Sequence, residues 1–588
     1  MSRDHRRFLY LMLTGAILLT AGLGLRNPWP PDEPRFALIA KDMVESGDWF
    51  IPHVGGVLYP DKPPLFFWLV ASFYAMTDSI SIAVLLPAVL AGLGVLWLVY
   101  DLAKRLWNPR AALWSGAALL ATVQFPLQMK AGQIDGLLCL WTTLGLYGLC
   151  RHLLLGPDWR WYAIAGLSCG LGVITKGVGF LPLLVLIPWF YARRQGWPMR
   201  NIDGSHGKWL LASCTFVLAI GLWLVPLLLV TSGSADPELL QYRDNILLKQ
   251  TVTRYADAWG HVKPPWYLFT NAIPWLWLPL SLLLPWLIPR WARDLKAHDL
   301  ATLLLAGWVL LVLLFFSLSD GKRSVYVFPA LPALVLLAGH HLPTVLAGAG
   351  PKRMLFALAL QLALVPVGTG IYALANPQVL HPWVERADMV APLAWTVVGS
   401  GMLAAAAVVF FRIPHAARGF AATMAILWLV TSLLVYPHID AMRSGRAIID
   451  AAVAALEPGT SLGFADWKEQ LLLQWNRPAV HFGYRREDAE TESRDAAAWL
   501  SGNGGNHLLL PENLVEPCFE RSWLTELGFA HRRTWYLAHR QSVLPECRTE
   551  VRPASIVFYD PSRRNEPAAV RSARQPRARA RSVAMPRP

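Results

Sequence analysis

The sequence predicts an all-helical polytopic membrane protein of about thirteen spans, carrying a small α/β domain at its C-terminal end. Three observations predict it. Of 588 residues, 55% are apolar and only 16% charged, where a soluble chain carries nearer a quarter. Apolar runs recur at close to the ~20-residue length that crosses a bilayer, and mean hydropathy is +0.37. From about residue 437 the pattern changes to short β-like runs (Ser461–Phe464, His507–Leu510, Ser555–Tyr559) alternating with helix-like ones (Ala447–Leu456, Ala489–Leu500). The 28 Trp suit belts at the membrane–water interface.

The elements follow in chain order. Arg3, Arg6 and Arg7 precede the apolar run Phe8–Leu25. No small-residue cleavage site follows, so the run reads as an uncleaved first span. Further spans are expected near 82–103, 111–128, 134–150, 161–175, 177–192, 208–230, 267–289, 299–318, 324–341, 354–374, 390–411 and 419–436. Lys104/Arg105, Arg151, Arg193/Arg194/Arg200, Arg290/Arg293/Lys296, Lys352/Arg353 and Arg412/Arg418 then share a side with the N-terminal arginines. The positive-inside rule makes that side cytoplasmic. Loops 26–81 and 231–266 and everything after 437 fall on the opposite, periplasmic face.

Pro64–Met76 is apolar but short, which suits a helix lying on or dipping into the outer leaflet. Within loop 26–81, Phe36, Ile39, Ala40, Met43 and Val44 make one apolar face, and Arg35, Lys41, Asp42 and Glu45 fill the other. Asp32 or Glu33 can cap this helix, Pro34 suits its first turn and Gly47 its end. Such a helix is expected to lie flat at the interface. A second begins at Asp236-Pro237, with Leu239, Leu240, Ile246 and Leu247 apolar and Arg243, Lys249 and Arg254 basic. The division expected is 1–436 membrane-embedded, 437–562 a small periplasmic α/β domain and 563–588 a disordered Arg-rich tail.

Composition excludes some classes. The net charge of +14 lies largely in cytoplasmic loops and in the tail, so it speaks for anionic lipid, not nucleic acid. Of the six Cys, Cys139, Cys150, Cys169 and Cys214 sit in or beside apolar runs as small packing residues. Cys518 and Cys547 lie in the polar part and can pair if it is extracytoplasmic. No Cys/His spacing matches a zinc finger.

The unusual polar clusters all fall on the periplasmic side. They are Asp32/Glu33/Arg35, Tyr59/Asp61/Lys62, Asp135, Lys176, Arg243/Lys249/Arg254/His261/Lys263 and Asp320/Lys322/Arg323. Charges near a bilayer are costly unless they face water, one another or a ligand. Carboxylates can act as bases or hold a metal, and Lys and Arg can hold phosphate. The mixture suits a phosphate-bearing lipid handled at the outer leaflet. Each residue also has a plainer use: Asp32 and Asp135 as helix caps, Asp61–Lys62 as a local ion pair, Lys176 as a snorkelling side chain.

The run Asp32-Glu33-Pro34-Arg35 followed by Tyr59-x-Asp61-Lys62-Pro63-Pro64 resembles the first-loop motif of bacterial GT-C glycosyltransferases. The similarity is to the 4-amino-4-deoxy-L-arabinose lipid A transferases and their protein O-mannosyltransferase-like relatives. Gln133-Ile134-Asp135, Thr175-Lys176-Gly177 and the segment Phe316–Pro329 with Asp320, Lys322, Arg323 and Tyr326 extend it. The resemblance implies a polyprenyl-phosphate sugar donor, lipid A or another envelope glycan as acceptor, and a monomer in the bacterial inner membrane. It implies a catalytic role for Asp32 and a second acid near the donor in Asp135; Glu33 is a further catalytic candidate. Arg35, Lys62, Arg243, Arg254, Lys322 and Arg323 would hold the donor phosphate, and Tyr59, Tyr326 and Lys176 would line the cavity. Asp61 and His261 would hold one divalent metal ion (zinc, magnesium or manganese), with no organic cofactor. Two positions depart from the pattern: Asp61 stands where the family usually has Glu, and Gln133 where it often has Arg. A same-fold transferase acting on protein Ser/Thr or polysaccharide is the alternative. A lipid-linked sugar flippase is a further one, which predicts inverted repeats with mid-bilayer charges.

Overall fold

The computed structural model describes residues 2–560 apart from 203–205, 249–260, 381–382, 385–386, 458–459, 485–487, 503–504 and 549–555. The chain divides into two compact units. One holds Met1–Ala37 and Tyr59–Asp440, the other Leu38–Leu58 and Ala441–Pro588.

The first unit is helical. Among the described residues, eight helices are long and apolar enough to cross a membrane: Ile80–Leu106, Ile134–Leu155, Gly207–Ser232, Leu300–Leu318, Ser324–Val345, Ala349–Ala375, Val390–Phe411 and Ile413–Ser444. A ninth is the pair Leu268–Leu276 and Leu280–Lys296, bent by 103°. Four further apolar runs expected as spans form helices that are shorter, broken or more charged. Arg3–Thr20 spends its first turns on charged residues. The run at 111–128 breaks between Pro109–Ala121 and Gln124–Met129, where Thr122 turns extended. Trp159–Lys176 ends at Gly177, whose φ of 80° stops the helix. The run after it is a 3-10 turn, Leu181–Val185, followed by the short Leu186–Arg194. Leu65–Thr77 is a 13-residue apolar helix, too short to cross, as the sequence indicates.

Packing in this unit relies on close approach as much as on bulk. A Cβ on Gly166 would lie 2.0 Å from the Ala212 carbonyl oxygen, and one on Gly170 2.6 Å from that of Phe216. Helices Trp159–Lys176 and Leu211–Ser232 therefore touch backbone to backbone, the small-residue contact that holds helices in lipid. Thr215 Oγ1 donates to the Ala163 carbonyl across the same seam at 2.7 Å. Buried Trp side chains take partners as they must: Trp308 Nε1 donates to the Leu181 carbonyl at 2.8 Å and Trp277 Nε1 to Gln124 Oε1 at 2.9 Å.

The second unit is α/β. Its six strands run, edge to edge, Thr525–Ala530, Arg533–His539, Asn506–Pro511, Ser461–Phe464, Ala479–His481 and Val557–Tyr559. The central strand Ser461–Phe464 pairs parallel with both neighbours, and the outer pairings are antiparallel. Helices Arg446–Ala455, Glu469–Gln474 and Ala489–Ser501 complete it. Cys518 and Cys547 are joined in a disulfide inside its apolar core.

One expectation is corrected here. The first-loop helix, Glu33–Ser46, does not expose a polar face in the manner of a surface-lying helix. Lys41, Asp42 and Glu45 are as buried as the apolar side, each at 9% exposure or less. The cause is the loop that follows. His53–Val54 and Val57–Leu58 form a hairpin through Gly55 and Gly56, with φ of 58° and 82°, the left-handed pair such a turn demands. Asp42 accepts the Gly55 N–H at 2.8 Å. His481 Nε2 donates to the Gly55 carbonyl at 2.7 Å, and a Cβ at Gly55 would meet Leu472 at 2.9 Å and Trp467 at 3.0 Å. Residues 38–58 thus belong with the C-terminal domain, although the sequence assigns them to the membrane part.

Candidate active site

Asp32 and Glu33 stand at the start of the first-loop helix and face different surroundings. Glu33 is buried, and Arg26 meets it with two N–H bonds, at 2.5 and 2.8 Å. The backbone N–H groups of Trp29 and Gly132 add two more, at 2.8 and 2.9 Å. Four donors satisfy both oxygens, so Glu33 anchors the start of this helix. Arg26 also donates to the Lys130 carbonyl at 3.2 Å. Lys130 Nζ in turn donates to the Leu18 and Ala21 carbonyls, 2.9 and 2.5 Å away. Burial, and then the charge of Arg26, push that ammonium down to about 8. Asp440 holds the segment between, accepting from the Asn27 N–H, Asn27 Nδ2 and Trp29 Nε1 at 2.7–2.8 Å.

That scaffold leaves Asp32 facing a second set of charges. Its Oδ2 accepts from Arg323 Nη2 at 3.1 Å, across 291 residues of sequence. Arg35 Nη1 stands 3.8 Å from Oδ1, and Arg35 Nη2 donates to the Pro31 carbonyl at 3.4 Å. Burial acts against the charged Arg323 guanidinium, but Asp32, Asp135 and Tyr326 together outweigh it and raise its pKa. Asp135, in the first turn of Ile134–Cys150, accepts from Lys176, and the Lys176 ammonium lies 5.0 Å above the Tyr326 ring. Asp32, Arg323, Asp135, Lys176 and Tyr326 thus form one cluster, drawn from four separated stretches of chain.

Lys322 and Arg323 are neighbours with opposite fates. Lys322 is 2% exposed, and its ammonium donates to the carbonyls of Ser319 and, at 2.8 Å, Lys263. Its N–H reaches the His261 carbonyl at 3.0 Å, and the Lys263 N–H reaches that of Asp320 at 3.2 Å. Residues 261–263 and 320–322 therefore clasp one another, and Lys322 is the rivet. Its ammonium is turned onto these carbonyls, whereas its neighbour Arg323 is presented to Asp32.

The remaining expected residues stand as follows. Tyr59 is buried with its ring 6.0 Å from that of Phe67. Asp61 and Lys62 are half-buried just before Leu65–Thr77. Arg243, on Pro237–Asp244, is held by Asp244 at 2.7 Å. Lys249 and Arg254 lie outside the described residues. His261 is exposed, with φ of 60°, and enters the clasp through its carbonyl. Among the described residues no group of three or more His, Cys, Asp or Glu side chains can hold a metal ion. Asp61 and His261 remain the candidate ligands named from the sequence.

Sequence reasoning missed Arg26, Lys130 and Asp440. A signal was available for the two cations: they stand on the side the positive-inside bias disfavours, the argument that singled out Lys322 and Arg323.

A many-helix membrane bundle with a carboxylate–cation cluster set in its interhelical loops is the architecture of a GT-C glycosyltransferase. Comparison with known proteins agrees. A family model described as dolichyl-phosphate-mannose-protein mannosyltransferase matches residues 61–223. The undecaprenyl phosphate-α-4-amino-4-deoxy-L-arabinose arabinosyl transferase of Pseudomonas paraeruginosa is 31% identical over 454 residues, 74% of this chain and 76% of that one. One from Pseudomonas fluorescens is 32% identical over 360 residues, 59% and 61% of the two chains. The crystal structure of ArnT from Cupriavidus metallidurans bound to undecaprenyl phosphate superposes with a TM-score of 0.71 at 19% identity, covering 92% of this chain and 99% of that one. The apo form of that protein gives 0.69 at 20% identity. The chain belongs to the undecaprenyl phosphate-α-4-amino-4-deoxy-L-arabinose arabinosyl transferase family.

Proposed function

We propose that this protein moves 4-amino-4-deoxy-L-arabinose from undecaprenyl phosphate to a phosphate of lipid A at the periplasmic face of the inner membrane. The observation that carries the reading is the Asp32–Arg323 contact beside Asp135–Lys176. Two cations are each held by a carboxylate before any ligand enters. A donor phosphate would draw Arg323 and Lys176 toward itself and free Asp32. The sugar's bond to the polyprenyl phosphate oxygen breaks, that phosphate keeps the electron pair, and an acceptor oxygen bonds to the same carbon. Cations already in place stabilise the charge that grows on the leaving phosphate. Arg35 stands beside Asp32 at 3.8 Å, and Lys62 is assigned to the donor phosphate by the family resemblance alone. A lipid A phosphate is anionic and needs little base, so Asp32 orients it and takes any remaining proton.

Two observations support the periplasmic placement. The basic loops fall on one side of the spans, and the Cys518–Cys547 disulfide suits an oxidising compartment. The name of the family model that matches residues 61–223 favours a second acceptor class, protein hydroxyls. Mass spectrometry of lipid A, envelope proteins and polysaccharides from cells with the gene, without it, and with Asp32→Asn tests both. Gene-dependent aminoarabinose on lipid A that Asp32→Asn abolishes is the expected result. Unchanged lipid A beside an altered protein or polysaccharide would reject the acceptor and keep the enzyme class.

A further inference from the structure

A cavity of about 350 Å³ opens at the N-terminal end of helix Arg3–Thr20, against the last turns of Ile80–Leu106. That volume lies within the range of small-molecule sites. The other end of Arg3–Thr20, near Leu18 and Ala21, is tied through Lys130 and Arg26 to Glu33. The helix has 18 residues, a length of roughly 27 Å. The cavity is therefore a site apart from the Asp32 cluster.

Two carboxylates line it, each with one oxygen engaged. Asp4 Oδ1 meets Arg7 Nη1 at 3.5 Å. Asp101 Oδ2 accepts from Arg105 Nε and from the Tyr147 hydroxyl, both at 2.5 Å. The second oxygen of each has no hydrogen-bond partner among the described residues. Trp97 makes one wall, and Phe8 and Tyr100, with ring centres 4.8 Å apart, make another. Tyr100 is only 5% exposed, yet its hydroxyl has no hydrogen-bond partner among the described residues. A buried hydroxyl left so costs free energy unless what enters the cavity bonds to it. Lys104, in the last turn of its helix, has no ion pair among the described residues.

The two helices set this cavity at headgroup depth. Ile17, Leu13 and Leu9 form an exposed stripe, four residues apart, that ends at the exposed His5. Leu90, Trp97 and Lys104, seven apart, lie exposed on one face of Ile80–Leu106. Both stripes pass from aliphatic to polar as they reach the cavity. Aliphatic residues followed by Trp and then Lys are how a membrane helix marks the level where hydrocarbon gives way to headgroups.

We propose that this cavity binds the zwitterionic headgroup of a membrane phospholipid bearing a primary amine, of the phosphatidylethanolamine type. The ammonium donates to Asp4 Oδ2, Asp101 Oδ1 and the Tyr100 hydroxyl, and the aromatic walls favour its charge further. Three acceptors answer the three N–H donors of a primary ammonium, a match that a trimethylammonium lacks. Lys104 takes the phosphodiester. The stripes of Leu9, Leu13 and Ile17 and of Leu90 give the acyl chains an apolar surface, which favours a lipid over a soluble amine. No residue of the Asp32 cluster takes part, so the proposal stands apart from the transfer reaction.

The test uses the full-length protein in detergent, titrated with short-chain phosphatidylethanolamine, phosphatidylcholine of the same chains, and glycerophosphoethanolamine, which has the head without the tails. Phosphatidylethanolamine should bind roughly tenfold more tightly than either. Tyr100→Phe keeps the ring and loses the hydroxyl, and should weaken phosphatidylethanolamine about fivefold while leaving phosphatidylcholine as it was. Asp4→Asn should act in the same way, and Asp450→Asn, in an exposed pair with Arg446, should change nothing. An unchanged melting temperature separates loss of binding from loss of fold. Equal affinity for phosphatidylcholine would overturn the ammonium site, and equal affinity for glycerophosphoethanolamine would overturn the lipid. Undiminished affinity in Tyr100→Phe or Asp4→Asn would overturn the placement in this cavity.

Discussion

Adjacent side chains of like chemistry do different work here, and substitution should separate them. Glu33 is enclosed by four donors, whereas Asp32 meets Arg323 and Arg35 in a more open cluster. Glu33→Gln removes one member of a buried pair and should cost about 3–5 kcal/mol, read as a lowered melting temperature in detergent. Asp32→Asn should leave melting nearly unchanged and cut transfer about 100-fold or more, read with purified enzyme and lipid-linked donor. The same split holds between Lys322 and Arg323. Lys322→Met strands two buried carbonyls and should lower stability. Arg323→Gln should weaken donor use with the fold intact; if the two variants exchanged phenotypes, the clasp described here would be wrong. The motifs made these positions legible, but not their division of labour. Nothing in Lys322-Arg323 as a dipeptide says which ammonium or guanidinium turns inward, because carbonyls 59 residues away decide it.

At the level of elements, local pattern was a fair guide where one periodicity governed. Ser461–Phe464 appears as expected, as do Arg446–Ala455 and Ala489–Ser501 to within a residue. The hairpin of Thr525–Ala530 and Arg533–His539 was not legible, since its turn is His531-Arg532 and carries none of the usual turn residues. The first-loop helix was found but its setting was misjudged, because a buried Asp looks like a surface Asp in sequence. Burial, then Glu45, push the Asp42 carboxyl up to about 8, against an ordinary 3.8. Burial pushes the His481 imidazole down to about 4, against 6.5. Between pH 4 and 6.5 the folded state holds the Asp42 proton that the unfolded chain releases, and lacks the His481 proton that the unfolded chain binds. These effects oppose each other. From pH 6.5 to 8 only Asp42 remains, and stability should fall with rising pH until Asp42 ionises in both states. Asp42→Asn should flatten that decline in a melting series across this range. Reducing the Cys518–Cys547 bond should cost the domain about 2–4 kcal/mol, seen as a drop in melting temperature with a phosphine reductant and none in the double Cys→Ser variant.

For the whole molecule, hydropathy gave the class of protein, and at least eight of the expected spans are long apolar helices among the described residues. Four apolar runs became helices broken or shortened by Thr122, Gly177, or charge in the first turn. The positive-inside count nonetheless groups Asp32, Asp135 and Arg323 on one face, and they do meet. Orientation is open to direct measurement. A cysteine at Ser522 should react with a membrane-impermeant maleimide in intact spheroplasts, and one at Arg194 only after permeabilisation; the reverse pattern would invert the topology.

The seam of Gly166 and Gly170 against Ala212 and Phe216 bears on how the protein is made. Trp159–Lys176 carries Arg160 and Lys176 and is less apolar than Gly207–Ser232, which is synthesised later. The earlier segment therefore depends for its residence in lipid on a helix the ribosome has not yet delivered. Bulky side chains at Gly166 or Gly170 should act during biogenesis, stranding newborn chains for proteolysis before any mature enzyme exists to be assayed.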